Sequence, residues 1–72
     1  MQEKKLDINT DDIRQLVENA RFLKSKDPEQ AIEFLENALA LSKEAKYRPG
    51  IASSLKELGH THLIQKEYRK LN

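Results

Sequence analysis

The fold of this chain is decided by residues 27–41, which read DPEQAIEFLENALAL. Asp27 is a residue type that caps helices, and Pro28 has the backbone angle that a first helical position needs. The apolar residues of one side then recur at helical spacing: Ala31, Leu35 and Ala38. Because small residues let a second helix approach closely, this stretch predicts a helix that is packed by neighbours on more than one side.

The sequence on either side of this stretch predicts two further helices. Asn9 has a side chain suited to cap the first of them, whose apolar stripe repeats at helical spacing. That stripe consists of Ile13, Leu16, Val17, Ala20 and Leu23. Tyr47–Gly50 contains proline and glycine and predicts a break between the second and third helices. The three predicted helices span about residues 10–25, 28–46 and 51–70.

Short connections between these helices predict antiparallel neighbours. We therefore expect an all-α fold of three antiparallel helices in a single domain, residues 10–72, preceded by a flexible segment, residues 1–9. A chain of 72 residues is small. Because such a chain buries only about 60% of its unfolded surface, we expect it to need unusually good helix packing or a partner.

The third helix is predicted to carry apolar residues on a broad face. The main face comprises Ile51, Ala52, Leu55, Leu58, Gly59, His62 and Leu63, and a shifted side continues with Ile64, Tyr68 and Leu71. Gly59 lies in mid-helix, where glycine costs about 1 kcal/mol relative to alanine, so we expect another backbone to approach it closely. The side that faces away from the second helix is predicted to lack a neighbour within the chain.

Composition limits the classes of function. The chain has 13 basic and 12 acidic residues, for a net charge of +1, whereas a domain that binds phosphates usually shows a clear basic excess. It contains no cysteine, and its N-terminal residues lack the apolar core of a signal peptide. No apolar run approaches the roughly 18 residues of a membrane span. We therefore expect a soluble, cytoplasmic protein.

No residue pattern predicts catalysis, a cofactor or a metal site. His60 and His62 are two positions apart, so on a helix they point to different sides and do not chelate one ion. We expect His62 to be a half-buried core residue and His60 a surface residue. The acidic residues of the second helix are typical of a solvated face, and the two isolated glycines form no phosphate-binding loop. The chain is therefore predicted not to be an enzyme.

Three motifs resemble those of the tetratricopeptide repeat family. Residues 31–39, AIEFLENAL, resemble the second helix of its repeat, and Leu58-Gly59 resembles the leucine–glycine pair of its first helix. Residues 66–68 resemble its Gly-Asp-Tyr turn without the glycine. The resemblance covers residues 12–71 and implies a right-handed helical solenoid fragment of about one and a half repeats. It implies a protein-binding scaffold of the long-repeat variety found in bacterial signalling and regulatory proteins.

The chain departs from the family pattern at three points. The first helix offers Asn19-Ala20 in place of leucine and glycine, the first turn is one residue shorter, and the sequence stops where a fourth helix would begin. We therefore expect either the terminal part of a larger regulatory protein or a core that another chain completes. The first helices of the family line a groove for a peptide or partner helix. The corresponding residues here are apolar and fit a core equally well: Ile13, Leu16, Val17 and Ala20.

These patterns together predict a protein–protein interaction module. Each fully buried leucine or isoleucine contributes about 1.5–3 kcal/mol, so a third helix with an uncovered face favours self-association. We expect a homodimer that packs through the third helices, or one that exchanges this helix between chains at Tyr47–Gly50. The residues expected to mediate it are Leu55, Leu58, Gly59, His62, Leu63, Ile64, Tyr68 and Leu71.

An alternative function is left open by the first two helices. Their tight connection is similar to a helix-turn-helix, which would make the protein a small helical DNA-binding regulator. Four basic side chains could then contact phosphates: Arg14, Arg21, Lys24 and Lys26. Acidic residues are interspersed among them and the turn lacks glycine, so the interaction module is the favoured prediction.

Overall fold

The structure, a computed structural model, describes residues 8–71, and it describes side chains as far as Glu67. This part of the chain contains three α-helices and no strand. The helices are α1 at Thr10–Leu23, α2 at Pro28–Glu44 and α3 at Arg48–Leu71. The predicted all-α fold is therefore confirmed. The first two predicted helices, ending at residues 25 and 46, were each two residues too long.

The helix starts are capped as the sequence predicts. The Asn9 side chain accepts a hydrogen bond from the Asp11 N–H at 2.9 Å, and the Asp27 side chain accepts one from the Gln30 N–H at 3.3 Å. Pro28 follows as the first residue of α2. The Leu23 carbonyl closes the connection by accepting the N–H groups of Lys26 and Asp27, at 2.9 and 2.6 Å. Local sequence signals therefore fix the end of α1 and the start of α2.

The connection between α2 and α3 differs from its prediction. Lys46 has φ 53°, and the Tyr47 N–H donates to the Ser42 carbonyl at 2.8 Å, which is the Schellman pattern of a helix end. The Tyr47 carbonyl already accepts the N–H groups of Gly50 and Ile51, so α3 begins at Arg48. The prediction that α3 begins at residue 51 was wrong, because a proline in the first turn lacks only an N–H that the helix does not use.

The three helices alternate in direction. Ile13 near the start of α1 lies beside Gly50 near the start of α3, whereas Lys24, just after α1, contacts Glu57 and His60 further along α3. These contacts show that α1 and α3 run in the same direction. With short connections on both sides, α2 runs opposite to them. The predicted antiparallel order of successive helices is thus observed.

The core draws its apolar side chains from α1 and α2. The buried apolar residues are Ile13, Val17 and Ala20 of α1 and Ala31, Leu35 and Ala38 of α2. Leu16 and Leu23 are half-buried at its edge, as are Phe34 and Leu41. Every residue of the buried set belongs to an apolar side that the sequence predicts. The apolar stripes of the first two helices therefore predicted their packing correctly.

The face that α3 turns inward was predicted wrongly. Its buried residues are small or polar: Gly50, Ser54, Glu57 and Thr61. In the predicted main face, Leu58 and Ile51 are half-buried, and Leu58 packs against the core. The other members are exposed: Ala52, Leu55, Gly59, His62 and Leu63. The predicted half-burial of His62 was wrong, because His62 is exposed. Within the chain, no neighbour lies within 4 Å of a Cβ built at Gly59.

Steric fit explains this rotation of α3. A Cβ at Gly50 would lie 2.7 Å from Tyr47 Cδ2 and 3.1 Å from Ile13 Cγ2, and it would overlap Ser42 Oγ. The first turn of α3 therefore approaches α1 and the end of α2 more closely than any larger residue allows. The spacing of Gly50, Ser54, Glu57 and Thr61 then matches, in reverse direction, the buried residues of α2: Ala31, Leu35, Ala38 and Ser42. Small residues on both sides bring the two helices together.

Candidate interaction surface

The rotation of α3 leaves two large aliphatic side chains in solvent. Leu55 is 53% exposed and Leu63 is 56% exposed. Gly59 lies midway between them and is also exposed, with open space where a side chain would be. Residues four apart lie on the same face of a helix in successive turns. We call Leu55, Gly59 and Leu63 the outer stripe.

The outer stripe contains three of the eight residues that the sequence nominates for self-association. His62 is exposed beside it, one turn after Gly59. Leu58 and Ile64 are half-buried and do not belong to it. The remaining two, Tyr68 and Leu71, lie outside the described side chains. Among the described side chains, the exposed surface is therefore narrower than the predicted one, and it centres on Gly59.

The predicted groove residues of α1 lie against the interior. Ile13 and Ala20 are fully buried and Val17 is nearly so, while Leu16 is half-buried. Ile13 and Val17 also line a cavity of about 170 Å³ between α1 and the start of α3. Tyr47 and Pro49 are among its other lining residues, and no sequence pattern indicated their part in it. A cavity of this size is smaller than the roughly 300 Å³ at which ligand pockets begin.

A buried acidic group joins α1 to α3. The Glu57 carboxylate accepts hydrogen bonds from Lys24 Nζ at 2.7 Å and from Arg21 Nε at 3.2 Å. Burial acts to raise the pKa of Glu57, but the hydrogen bonds and charges of Lys24 and Arg21 together outweigh it and hold that pKa below its usual value. The carboxylate therefore stays ionised and bound to two cations. It serves as a structural link between helices.

The same cluster includes a histidine. Lys24 Nζ lies 2.9 Å from His60 Nδ1. Because an ammonium only donates, His60 Nδ1 is the acceptor if this contact is a hydrogen bond. Sequence reasoning did not identify Glu57 as buried. The available signal was the run of polar residues Ser54, Glu57 and Thr61, whose spacing places them on one face of a helix.

The basic side chains of α1 and its following turn are engaged by other groups of the chain. Arg14 pairs with Asp11 at 3.3 Å, and Arg21 reaches Glu18 at 3.5 Å as well as Glu57. Lys26 Nζ lies 4.3 Å from the centre of the Phe22 ring, which is 68% exposed. These contacts leave acidic and aromatic groups among the cations. They do not form a uniformly basic surface.

Two kinds of site are missing from the described residues. No three His, Cys, Asp or Glu side chains in this part of the chain come together as they would around a metal ion. Among the same residues, no helix has the length and apolar character needed to cross a bilayer.

Comparisons with models of protein families, with curated proteins and with solved structures found no match to this chain. The similarity to tetratricopeptide repeats accordingly rests on the motifs quoted above. The outer stripe is observed in the structure as exposed residues of α3. We therefore argue function from exposure, packing and charge.

Proposed function

We propose that this chain is a protein–protein interaction module that binds its partner through the outer stripe of α3. The observation that carries the proposal is the exposure of Leu55 and Leu63 on one face of a helix whose opposite face is packed. Scattered exposed leucines are ordinary on protein surfaces. These two lie two turns apart on a single face, with an exposed glycine between them.

The energy available at this surface is substantial for a small domain. Burying a leucine completely contributes about 1.5–3 kcal/mol, and each of these leucines is about half exposed. Covering both would therefore contribute about 1.5–3 kcal/mol per chain. Typical domains have a total stability of only about 5–15 kcal/mol. A partner on the outer stripe would thus add an appreciable fraction to the stability of the folded chain.

The two glycines of the chain differ in a way that supports the proposal. Gly50 has an internal reason to be glycine, since a side chain there would collide with three neighbours. Gly59 has none, although a glycine within a helix costs about 1 kcal/mol relative to alanine. A helix of a partner that approaches closely at Gly59 supplies that reason. The close approach that the sequence predicts at Gly59 is therefore proposed for a partner.

The family resemblance supports the same function. In a tetratricopeptide solenoid, α3 would be the first helix of a repeat, and a following helix would pack on the side that carries the outer stripe. By that resemblance we place the module in a regulatory or signalling protein of the cytoplasm. The alternative of DNA binding gains no support from the geometry, because Arg14, Arg21 and Lys24 each pair with a carboxylate.

Site-specific photo-crosslinking tests the proposal. The photoreactive residue p-benzoylphenylalanine is placed at position 55 or 63 in cells that produce the chain, with position 43 as control. Lys43 is exposed and belongs to α2, whereas the outer stripe lies on α3. We expect protein adducts at 55 and 63 and none at 43, and the adduct at 55 should disappear with L63D. Equal adducts at all three positions, or none, would refute the proposal.

A further inference from the structure

We infer that the partner on the outer stripe is a second copy of this chain, whose α3 crosses the first in antiparallel orientation at Gly59. The inference rests on the proposed function and names the partner. It is carried by the symmetry of the stripe. Leu55 precedes Gly59 by four residues and Leu63 follows it by four, so the leucines lie about 6 Å along the axis on either side.

An antiparallel two-fold pair is the arrangement that this symmetry fits. In a parallel two-fold dimer each residue meets its own counterpart, whatever the spacing along the helix. In an antiparallel dimer, a residue before the axis meets a residue after it. With the axis at Gly59, Leu55 of each copy meets Leu63 of the other, and the two glycines face each other. The patch is thus complementary to itself, as a two-fold interface requires.

The outer stripe also fits a known geometry of helix packing. Residues spaced by four form a ridge, and ridges of this kind on two helices interlock at a crossing angle of about −50°. At that angle the helices diverge within two turns of the crossing. The ridge continues to Ile51, which is half-buried in its own chain, and to Glu67, which is exposed. A charge at Glu67 is therefore compatible with the dimer, because the helices have separated there.

The small size of the patch sets the expected affinity. An interface of two leucines and a glycine per chain lies at the low end of interface sizes, below about 1,200 Å², where association is weak and transient. Sedimentation from roughly 1 µM to 1 mM should therefore show a reversible monomer–dimer equilibrium. A chain that stays monomeric over this range would overturn the inference.

Gly59→Ala tests the crossing point without threatening the fold. Nothing in the chain lies within 4 Å of the added Cβ, so the variant should remain folded. In the dimer the same methyl groups would meet at the closest approach of the two helices. We expect dimerisation to weaken about 10-fold or more. An unchanged dissociation constant would refute a crossing at Gly59. A dimer whose stability is unaffected by L55D or L63D would overturn the inference, and exchange of α3 between chains would give that result.

Engineered cysteines test the orientation, because the chain has no cysteine of its own. A mixture of L55C and L63C chains should form the mixed disulfide on mild oxidation. L55C alone should not, since its two sulfurs would be about 12 Å apart along the helix, beyond the roughly 7 Å that a disulfide spans between Cα atoms. K43C gives the yield from random collision. Efficient self-crosslinking of L55C would show a parallel pair and refute the antiparallel one.

The outcomes separate this inference from the proposed function. One result would be photo-crosslinking adducts at positions 55 and 63 that contain a different protein, together with cysteine pairs that do not exceed the K43C yield. That result would support the proposed interaction module and refute a second copy of the chain as its partner. If neither experiment gives a position-dependent product, both fail. If the adducts have twice the mass of the chain and L55C joins L63C, both hold.

Discussion

Replacing Gly50 by alanine should destabilise the fold by about 1–2 kcal/mol. The new Cβ would lie 2.7 Å from Tyr47 Cδ2 and 3.1 Å from Ile13 Cγ2, and it would overlap the hydroxyl of Ser42. Ser42 and Ile13 are fully buried, so neither can yield without disturbing its own neighbours. Inserting a methyl group into a packed site costs about 1–3 kcal/mol. The helix propensity of alanine returns less than about 1 kcal/mol, since residue 50 lies in the first turn.

The same substitution at Gly59 is the matched control, and it should have the opposite sign. Gly59 lies within the same helix, and an added Cβ would meet no other atom within 4 Å. The alanine variant should therefore gain about 0.5–1 kcal/mol from reduced freedom of the unfolded backbone. One chemical change at two positions of α3 is thus expected to give stabilities that differ by about 1.5–3 kcal/mol.

Urea unfolding followed by far-UV circular dichroism measures this difference, at a protein concentration near 1 µM where the proposed weak dimer is dissociated. Unchanged m values would show that both variants unfold from the same compact state. In a domain this small, 1 kcal/mol corresponds to about 4–8 °C in Tm. A Gly50→Ala variant as stable as the original chain would refute the close packing of α3. A destabilised Gly59→Ala variant would contradict the open surface at residue 59.

Three further substitutions test individual contacts. Lys46→Gly should raise the urea midpoint by the equivalent of up to about 1 kcal/mol, because φ 53° at Lys46 is a left-handed conformation that favours glycine. An unchanged urea midpoint would argue against that conformation. Glu57→Gln should cost about 1–3 kcal/mol at neutral pH by removing the negative charge that pairs with Lys24 and Arg21. Because the folded-state pKa of Glu57 lies below the ordinary value of 4.5, its contribution is present above that pH and is lost as the pH falls through the lowered pKa. Thermal melts between about pH 5 and 2 should therefore be less acid-sensitive in the Gln variant, and an unchanged acid slope would contradict the assignment. Ser54→Ala should be neutral or stabilising by up to about 1 kcal/mol, since the Ser54 hydroxyl is buried without a hydrogen-bond partner among the described groups. A loss of more than about 1 kcal/mol in the free energy of chemical unfolding would show that the hydroxyl is hydrogen-bonded.

The sequence was sufficient for α1 and α2 because their signals agree with one another. Asn9 and Asp27 cap the helices, and each helix buries the apolar stripe that its spacing predicts. A capped helix with an apolar side has essentially one way to lie against a neighbour. Local propensity and burial therefore gave the same answer, and the structure confirms it.

The rotation of α3 could not be predicted in this way. Counting apolar residues favours the side with Leu55 and Leu63, but the residue of α2 that the start of α3 meets is the small, fully buried Ser42. The buried side instead brings Gly50 against Ser42 and Glu57 against Lys24. Both contacts join α3 to residues outside that helix, and only the packed structure shows that the two sides fit. The start of α3 at Arg48 differs from the prediction for a simpler reason: Tyr47–Gly50 predicts a break, but proline is tolerated in the first turn of a helix.

The inward and outward faces of α3 are consequences of one choice of rotation. Had the leucines pointed inward, they would have separated α3 from α2, where Ala38 and Ser42 leave room only for a close neighbour. The small residues of α3 meet this requirement, and the rotation that buries them turns Leu55 and Leu63 outward. Because both leucines face outward on the same side of α3, they form an apolar stripe that a partner can cover. The close internal packing and the apolar outer stripe are therefore linked, and a change that rotates α3 should affect stability and association together.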